Sequence, residues 1–147
     1  MARVITAVER PDAAPRVFLA GGISNCPDWQ AEVIRDAADL DVSLYNPRRP
    51  GGAFTDDGGA ADQIRWEFQA LNRADLILFW FCAETIQPIV LFELGRWSAT
   101  TKPLVVGAHP SYPRRLDVVE QLALVRPQLV VTDTLTDLTT QLRKLLT

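Results

Sequence analysis

Residues 74–97, ADLILFWFCAETIQPIVLFELGRW, constrain the fold more than any other part of the chain. Asp75–Phe81 is apolar at every position after its first residue, with no alternation. A strand buried on both faces reads this way, and such strands lie in the middle of parallel sheets covered by helices. A short polar loop follows. Pro88 then opens a helix predicted over Pro88–Thr100, since proline is tolerated in a first helical turn. That helix places one carboxylate, Glu93, within the string IVLFELG. A carboxylate buried among Leu and Phe costs free energy unless something compensates it. Either it faces solvent or pairs with Arg96, or its environment serves chemistry.

The rest of the chain repeats the alternation of strand and helix. Arg16–Ala20 reads as a buried strand followed by Gly21-Gly22, and Asp28 caps a helix over Trp29–Asp39. Val42–Tyr45 is a short strand ended by Asn46-Pro47. Residues 48–60, RRPGGAFTDDGGA, carry no periodic pattern and read as a lid or binding loop. Helix Ala61–Arg73 precedes the apolar strand. Strand Pro103–Val106, helix Leu116–Val125, strand Gln128–Val131 and helix Thr134–Leu146 complete the chain. Five strands alternating with helices imply an α/β three-layer sandwich around a parallel sheet with right-handed crossovers. The expected topology is flavodoxin-like or Rossmann-like, a five-stranded parallel sheet in the order 2-1-3-4-5. One domain is expected over 1–147, with 1–15 as an N-terminal extension. Ligands of such folds sit beyond the C-terminal strand ends, at the switch in strand order. Here that crevice is framed by Gly21-Gly22-Ile23-Ser24, Asn46–Arg49 and Cys82–Gln87.

Composition narrows the function classes. A hydrophobic fraction of 48% over 147 residues supports a core without disulfides or structural metal. The net charge of -3 argues against a general binder of nucleic-acid polymers. Cys26 and Cys82 lack CxxC spacing and fit reduced intracellular thiols. The one histidine, His109, has no second ligand nearby, so no metal site is expected. The first residues have no long apolar core, and the run Leu76–Ala83 is too short to span a membrane. A cytoplasmic protein without a cofactor is expected.

Several side chains are candidates for chemistry. Gly21-Gly22 permits close backbone approach to a ligand, though it does not match GxGxxG. Glu93 lies near the positive end of its helix, a reason for it to stay ionised and act as nucleophile or general base. Gln63, Trp66, Glu67 and Ala70 share a helical face. Glu67 then points into the crevice, or pairs with Arg65 or Arg73 in solvent. Asp62 reads as an acid of the first helical turn. Trp29, after Asp28, stacks on a planar ligand or fills the core. Arg48-Arg49 recognises phosphate or carboxylate, or is solvated charge. Trp80 and Trp97 read as packing residues.

FLAGGIS, WEFQALNRADLILFWF and LFELGRW together resemble the nucleoside 2-deoxyribosyltransferase superfamily, nearest its short deoxyribosyltransferase-like branch. The resemblance covers roughly residues 16–106. It implies that Glu93, in the Glu-Leu-Gly segment, is a nucleophile that attacks the anomeric carbon of a (deoxy)nucleoside. The base leaves, and a second base or water takes the sugar with retention. It implies that Glu67, where better-known members carry Asp, binds sugar hydroxyls or assists proton transfer. From their places on the loops and helix that frame the crevice, Gly21, Gly22, Ile23, Ser24, Asp28, Trp29, Asn46, Arg48, Arg49 and Gln63 are the expected substrate-binding residues. A related branch hydrolyses nucleoside monophosphates, and Arg48-Arg49 would suit a 5′-phosphate. Phe18 stands where those members have a Tyr that bonds the nucleophile, which leaves Tyr45, Gln87 or a backbone amide to orient Glu93. An Asp found shortly before the nucleophile in those members is missing from Ile86–Phe92. The resemblance also implies a homo-oligomer, with Trp66 and Trp97 as candidate interface residues. A non-catalytic nucleotide-binding module and a flavin or nucleotide sensor are the competing readings of the same fold.

Overall fold

The computed structural model describes residues 1–6, 12–49 and 57–147. Among these, six strands form one parallel sheet: β1 (Arg3–Ile5), β2 (Arg16–Gly21), β3 (Ser43–Tyr45), β4 (Leu76–Phe81), β5 (Leu104–Ala108) and β6 (Val131–Thr132). Their order is β1-β3-β2-β4-β5-β6. The five strands read from the sequence thus take the expected order 2-1-3-4-5, and β1 adds a sixth at the outer edge of β3. It pairs Val4 with Leu44 and Ile5 with Tyr45. The Arg3 guanidinium donates to Ser43 Oγ at 3.0 Å and pairs with Asp41 at 2.6 Å. Three residues carry too little alternation to reveal a strand, so part of the expected extension belongs to the sheet.

The helices are α1 (Trp29–Asp36), α2 (Asp57–Arg73), α3 (Pro88–Ser98), α4 (Arg115–Val125) and α5 (Leu135–Leu146). Helix α2 starts one turn earlier than the sequence pattern indicates, running through Gly58-Gly59 despite their low helix propensity. Most of the loop expected as a lid, residues 50–56, lies outside the described residues. Strand β6 falls slightly later than expected and pairs Val131 with Val106.

Alternation along the strands sorts the core into two layers. Phe18, Ala20, Ile77, Phe79 and Phe81 face α2, α3 and α4 through Leu71, Leu94 and Leu122. Val17, Leu19, Leu76, Leu78 and Trp80 face α1 and α5 through Trp29, Val33, Leu138 and Leu142. Strand β4 is buried at all six positions, as its unbroken apolar sequence requires. The strand order changes direction at β2, so α1 packs on one face of the sheet and α2 on the other. The C-terminal ends of β2 and β4, paired through Gly21 and Trp80, therefore open into a crevice at the switch in strand order. Among the described residues no helix is long and apolar enough to cross a membrane.

Candidate functional site

A cleft of about 370 Å³ occupies that crevice. Strand β2 and the following loop supply Phe18, Ala20, Gly21, Gly22, Ile23 and Ser24. Pro47 enters after β3, Glu67 from α2, and Thr85 and Gln87 from the β4–α3 loop. The first turn of α3 contributes Pro88, Ile89 and Val90, and its next turn contributes Glu93. Gly21, Gly22, Ile23, Ser24, Glu67 and Glu93 thus line one cavity. Asp28, Trp29, Asn46, Arg48, Arg49 and Gln63 are not part of that lining.

The two carboxylates differ in their partners. Val90, Leu94 and Trp97 anchor α3 to the sheet, which brings Glu93, three residues after Val90, to the border of the buried face. Among the described residues no hydrogen bond or ion pair reaches its carboxylate. The Arg96 guanidinium lies instead over Phe68 at 4.7 Å and Trp97 at 5.4 Å. Burial first, and then the nearby Glu67 charge, push the Glu93 carboxyl up to about 7 against a smaller opposing pull from Arg96. The helix dipole therefore does not keep Glu93 in the ordinary carboxylate range. Glu67 is raised too, by burial first, with the Gln63 hydrogen bond and the Arg49 charge opposing. Its oxygen accepts from Gln63 Nε2 at 3.1 Å. The expected competitors for Glu67 are occupied: Arg65 pairs with Asp62 at 2.7 Å and Arg73 with Asp12 at 2.9 Å.

The glycine pair is required by the protein rather than by space for a ligand. A Cβ on Gly21 would lie 2.3 Å from the Trp29 indole and 2.5 Å from the Trp80 carbonyl oxygen. A Cβ on Gly22 would lie 2.3 Å from Cys26 Sγ. Trp29 is a core residue, 2% exposed, and its indole N–H donates to the Gly22 carbonyl at 3.1 Å. Gln87 ties the two sides of the crevice together. Its Oε1 accepts from Gly22 N at 3.0 Å, and its Nε2 donates to the Cys82 and Thr85 carbonyls, each at 3.0 Å. Its backbone takes the left-handed conformation, φ 57°, immediately before Pro88. Neither Gln87 nor Tyr45 orients Glu93, since the Tyr45 hydroxyl donates to Asp12. Phe18 fills its position with a ring beside Trp66, centroids 6.1 Å apart.

The arginines hold loops. Arg48 donates to Gln30 Oε1 at 3.1 Å and to the Pro27 carbonyl at 3.1 Å, and pairs with Asp28 at 3.2 Å. Asp28 also caps α1 by accepting from Ala31 N at 3.1 Å. Asn46 accepts from Arg48 N at 3.0 Å, and Arg49 donates to Gln63. Sequence reasoning overlooked Gln30, which is fully buried yet reads as an ordinary polar residue of an amphipathic helix. It also overlooked the pairing of Cys26 with Cys82. Nothing in the spacing of those residues brings them together, only the parallel pairing of β2 with β4.

Two acids thus share a small cleft at a parallel-sheet switch point, and among the described residues one of them, Glu93, has no hydrogen-bond or ion-pair partner. A family model described as nucleoside 2-deoxyribosyltransferase like matches residues 14–112. This chain belongs to that nucleoside 2-deoxyribosyltransferase-like family. Membership supports a general role in glycosyl transfer with a small nucleoside ligand. A solved structure described as a conserved protein from Enterococcus faecalis V583 has the same fold, with a TM-score of 0.61 and 17% identity. The match covers 91% of this chain and 100% of that one. No curated protein matches the chain.

Proposed function

We propose that this family member cleaves the N-glycosidic bond of a (deoxy)nucleoside, with Glu93 as nucleophile, and passes the (deoxy)ribosyl group to another base or to water. The observation that carries this reading is the unpaired Glu93 carboxylate in a cleft shared with Glu67. An ionised Glu93 oxygen bonds to the anomeric carbon as the carbon–nitrogen bond breaks, and the bonding pair leaves with the base. Glu67, whose charge raises Glu93 and which is therefore ionised when Glu93 is, accepts hydrogen bonds from the sugar hydroxyls, and the departing base nitrogen takes its proton from water. An incoming base nitrogen or water then attacks the same carbon and releases Glu93, so two inversions give net retention.

Among the described residues the cleft lining contains no Lys or Arg, and Arg48 is engaged by Gln30, Asp28 and loop carbonyls. This favours a free 5′-hydroxyl over a 5′-phosphate. Incubation with a mixed panel of nucleosides and their monophosphates, read by chromatography for free base and new nucleoside, tests the reading. Free base is expected from nucleosides in preference to their monophosphates, and none from Glu93→Gln. The loss of a hydroxyl at Phe18 supports a second reading, a binding module. Wild type that cleaves nothing in the panel, yet binds one nucleotide as tightly as Glu93→Gln does, would establish it.

We also propose that the protein self-associates. Trp97 is buried and Trp66 is half-buried against the core, so Trp97 offers no interface surface and Trp66 only part of its ring. Ile64 and Phe68 on α2, and Ile89 and Phe92 on α3, are exposed instead and offer an apolar surface beside the cleft. A light-scattering mass of one chain would contradict this.

A further inference from the structure

Two free thiols meet beside the glycine wall of the cleft. Cys26 lies on the β2–α1 loop and is half-buried; Cys82 follows the last residue of β4 and is buried. The Cys82 thiol donates to Cys26 Sγ at 2.6 Å. A disulfide bond is about 2.05 Å long, so only a small side-chain adjustment separates this pair from a bond. Their surroundings belong to the contacts that hold the crevice. Cys26 Sγ is 3.2 Å from Thr85 Oγ1 and fills the space a Gly22 side chain would need. Gln87 Nε2 donates to Cys82 Sγ at 3.4 Å and to the Cys82 carbonyl while its Oε1 receives Gly22 N.

We propose that Cys26 and Cys82 are a redox pair that closes into a disulfide in the presence of a small disulfide such as oxidised glutathione, fastening the β2–α1 loop to the end of β4. The half-buried Cys26 reacts first. Its thiol loses a proton, and the thiolate attacks one sulfur of the small disulfide, releasing one small thiolate. Cys82 is the resolving thiol. Burial and its hydrogen bond to Cys26 push its ionisation upward, which makes it the poorer first nucleophile. Once deprotonated it attacks the Cys26 sulfur of the mixed disulfide and releases the second small thiolate. Two protein thiols are oxidised, one small disulfide is reduced to two thiols, and the two protons end on them. The new bond locks Gly22, Ile23 and Ser24 against the Gln87 bridge, so one wall of the cleft becomes fixed.

The test is intact-mass spectrometry of the full chain after equilibration in glutathione redox buffers, followed by alkylation and peptide mapping. Wild type is expected to lose the mass of two hydrogens, to take up no alkylating agent, and to yield a peptide linking Cys26 to Cys82. Cys82→Ser is expected to stop at the mixed disulfide on Cys26, and Cys26→Ser to remain unmodified. A wild type that keeps two alkylatable thiols, stays as the mixed disulfide, or links between chains would overturn the proposal. The readout is mass alone, so it stands whether or not the glycosidic reading does.

Discussion

Glu93 is subject to two opposed demands, and both leave a measurable trace. Its carboxyl titrates at about 7 in the folded chain against a reference value of 4.5. The unfolded chain therefore loses this proton first. As pH rises from about 4.5 to about 7, the native state alone still holds the proton, and the Glu93 contribution to stability falls; the loss is complete above that range. Glu93→Gln is expected to be more stable than wild type above pH about 7, by roughly 1–2 kcal/mol after discounting for partial exposure. Urea unfolding measures this, and a variant less stable than wild type there would contradict the burial argument. The same ionisation governs the chemistry. A nucleophile must be deprotonated, so base release should climb with pH through about 7; a rate that falls across this interval points to Glu93 acting as an acid. The sequence made the residue visible, because a carboxylate inside IVLFELG breaks the apolar pattern. It did not reveal the direction of the shift. That depends first on the burial of Glu93, then on Glu67 arriving from another helix and on Arg96 turning to Phe68, and all three are tertiary outcomes.

The elements around the cleft explain why its walls carry glycine and glutamine, with arginine outside the lining. Gly22→Ala must displace the Cys26 sulfur and press on the Gln87 side chain. Overpacking of this kind typically costs about 1–3 kcal/mol, and a loss of that size in urea unfolding is expected. An unchanged midpoint would mean that the β2–α1 loop moves freely. Arg48→Ala removes a hydrogen bond to the fully buried Gln30 and an ion pair with the capping Asp28. It should cost about 1–3 kcal/mol while leaving the preference for nucleoside over monophosphate unchanged. If stability holds and only monophosphate turnover falls, Arg48 is a phosphate ligand instead. Sequence patterning separates apolar from polar positions, so it located the strands and the loops that frame the crevice. It has no means of marking a buried glutamine, and so Gln30 and the bridging role of Gln87 emerged only from the fold. Glycine pairs are equally silent about whether ligand or protein occupies the space their missing side chains leave.

At the scale of the molecule, the alternation of strands with helices was enough to anticipate the parallel sheet and the order of five strands, because parallel neighbours need crossover helices and those crossovers have one hand. Edge strand β1 escaped notice because its pairing partner β3 lies far away in the chain and its own pattern is three residues long. The sheet accounts for the site: the strand order switches between the parallel neighbours β2 and β4, which leaves a gap at their C-terminal ends, and α2 and α3 deliver one carboxylate each into it. The central claim is that Glu93 attacks a sugar carbon there. Its most direct test compares wild type and Glu93→Gln on the same panel of nucleosides, with free base quantified by chromatography. The expected result is base release by wild type from at least one nucleoside and a loss of at least about a hundredfold in the variant, as for removal of a covalent nucleophile. Equal release by the two proteins would contradict the account.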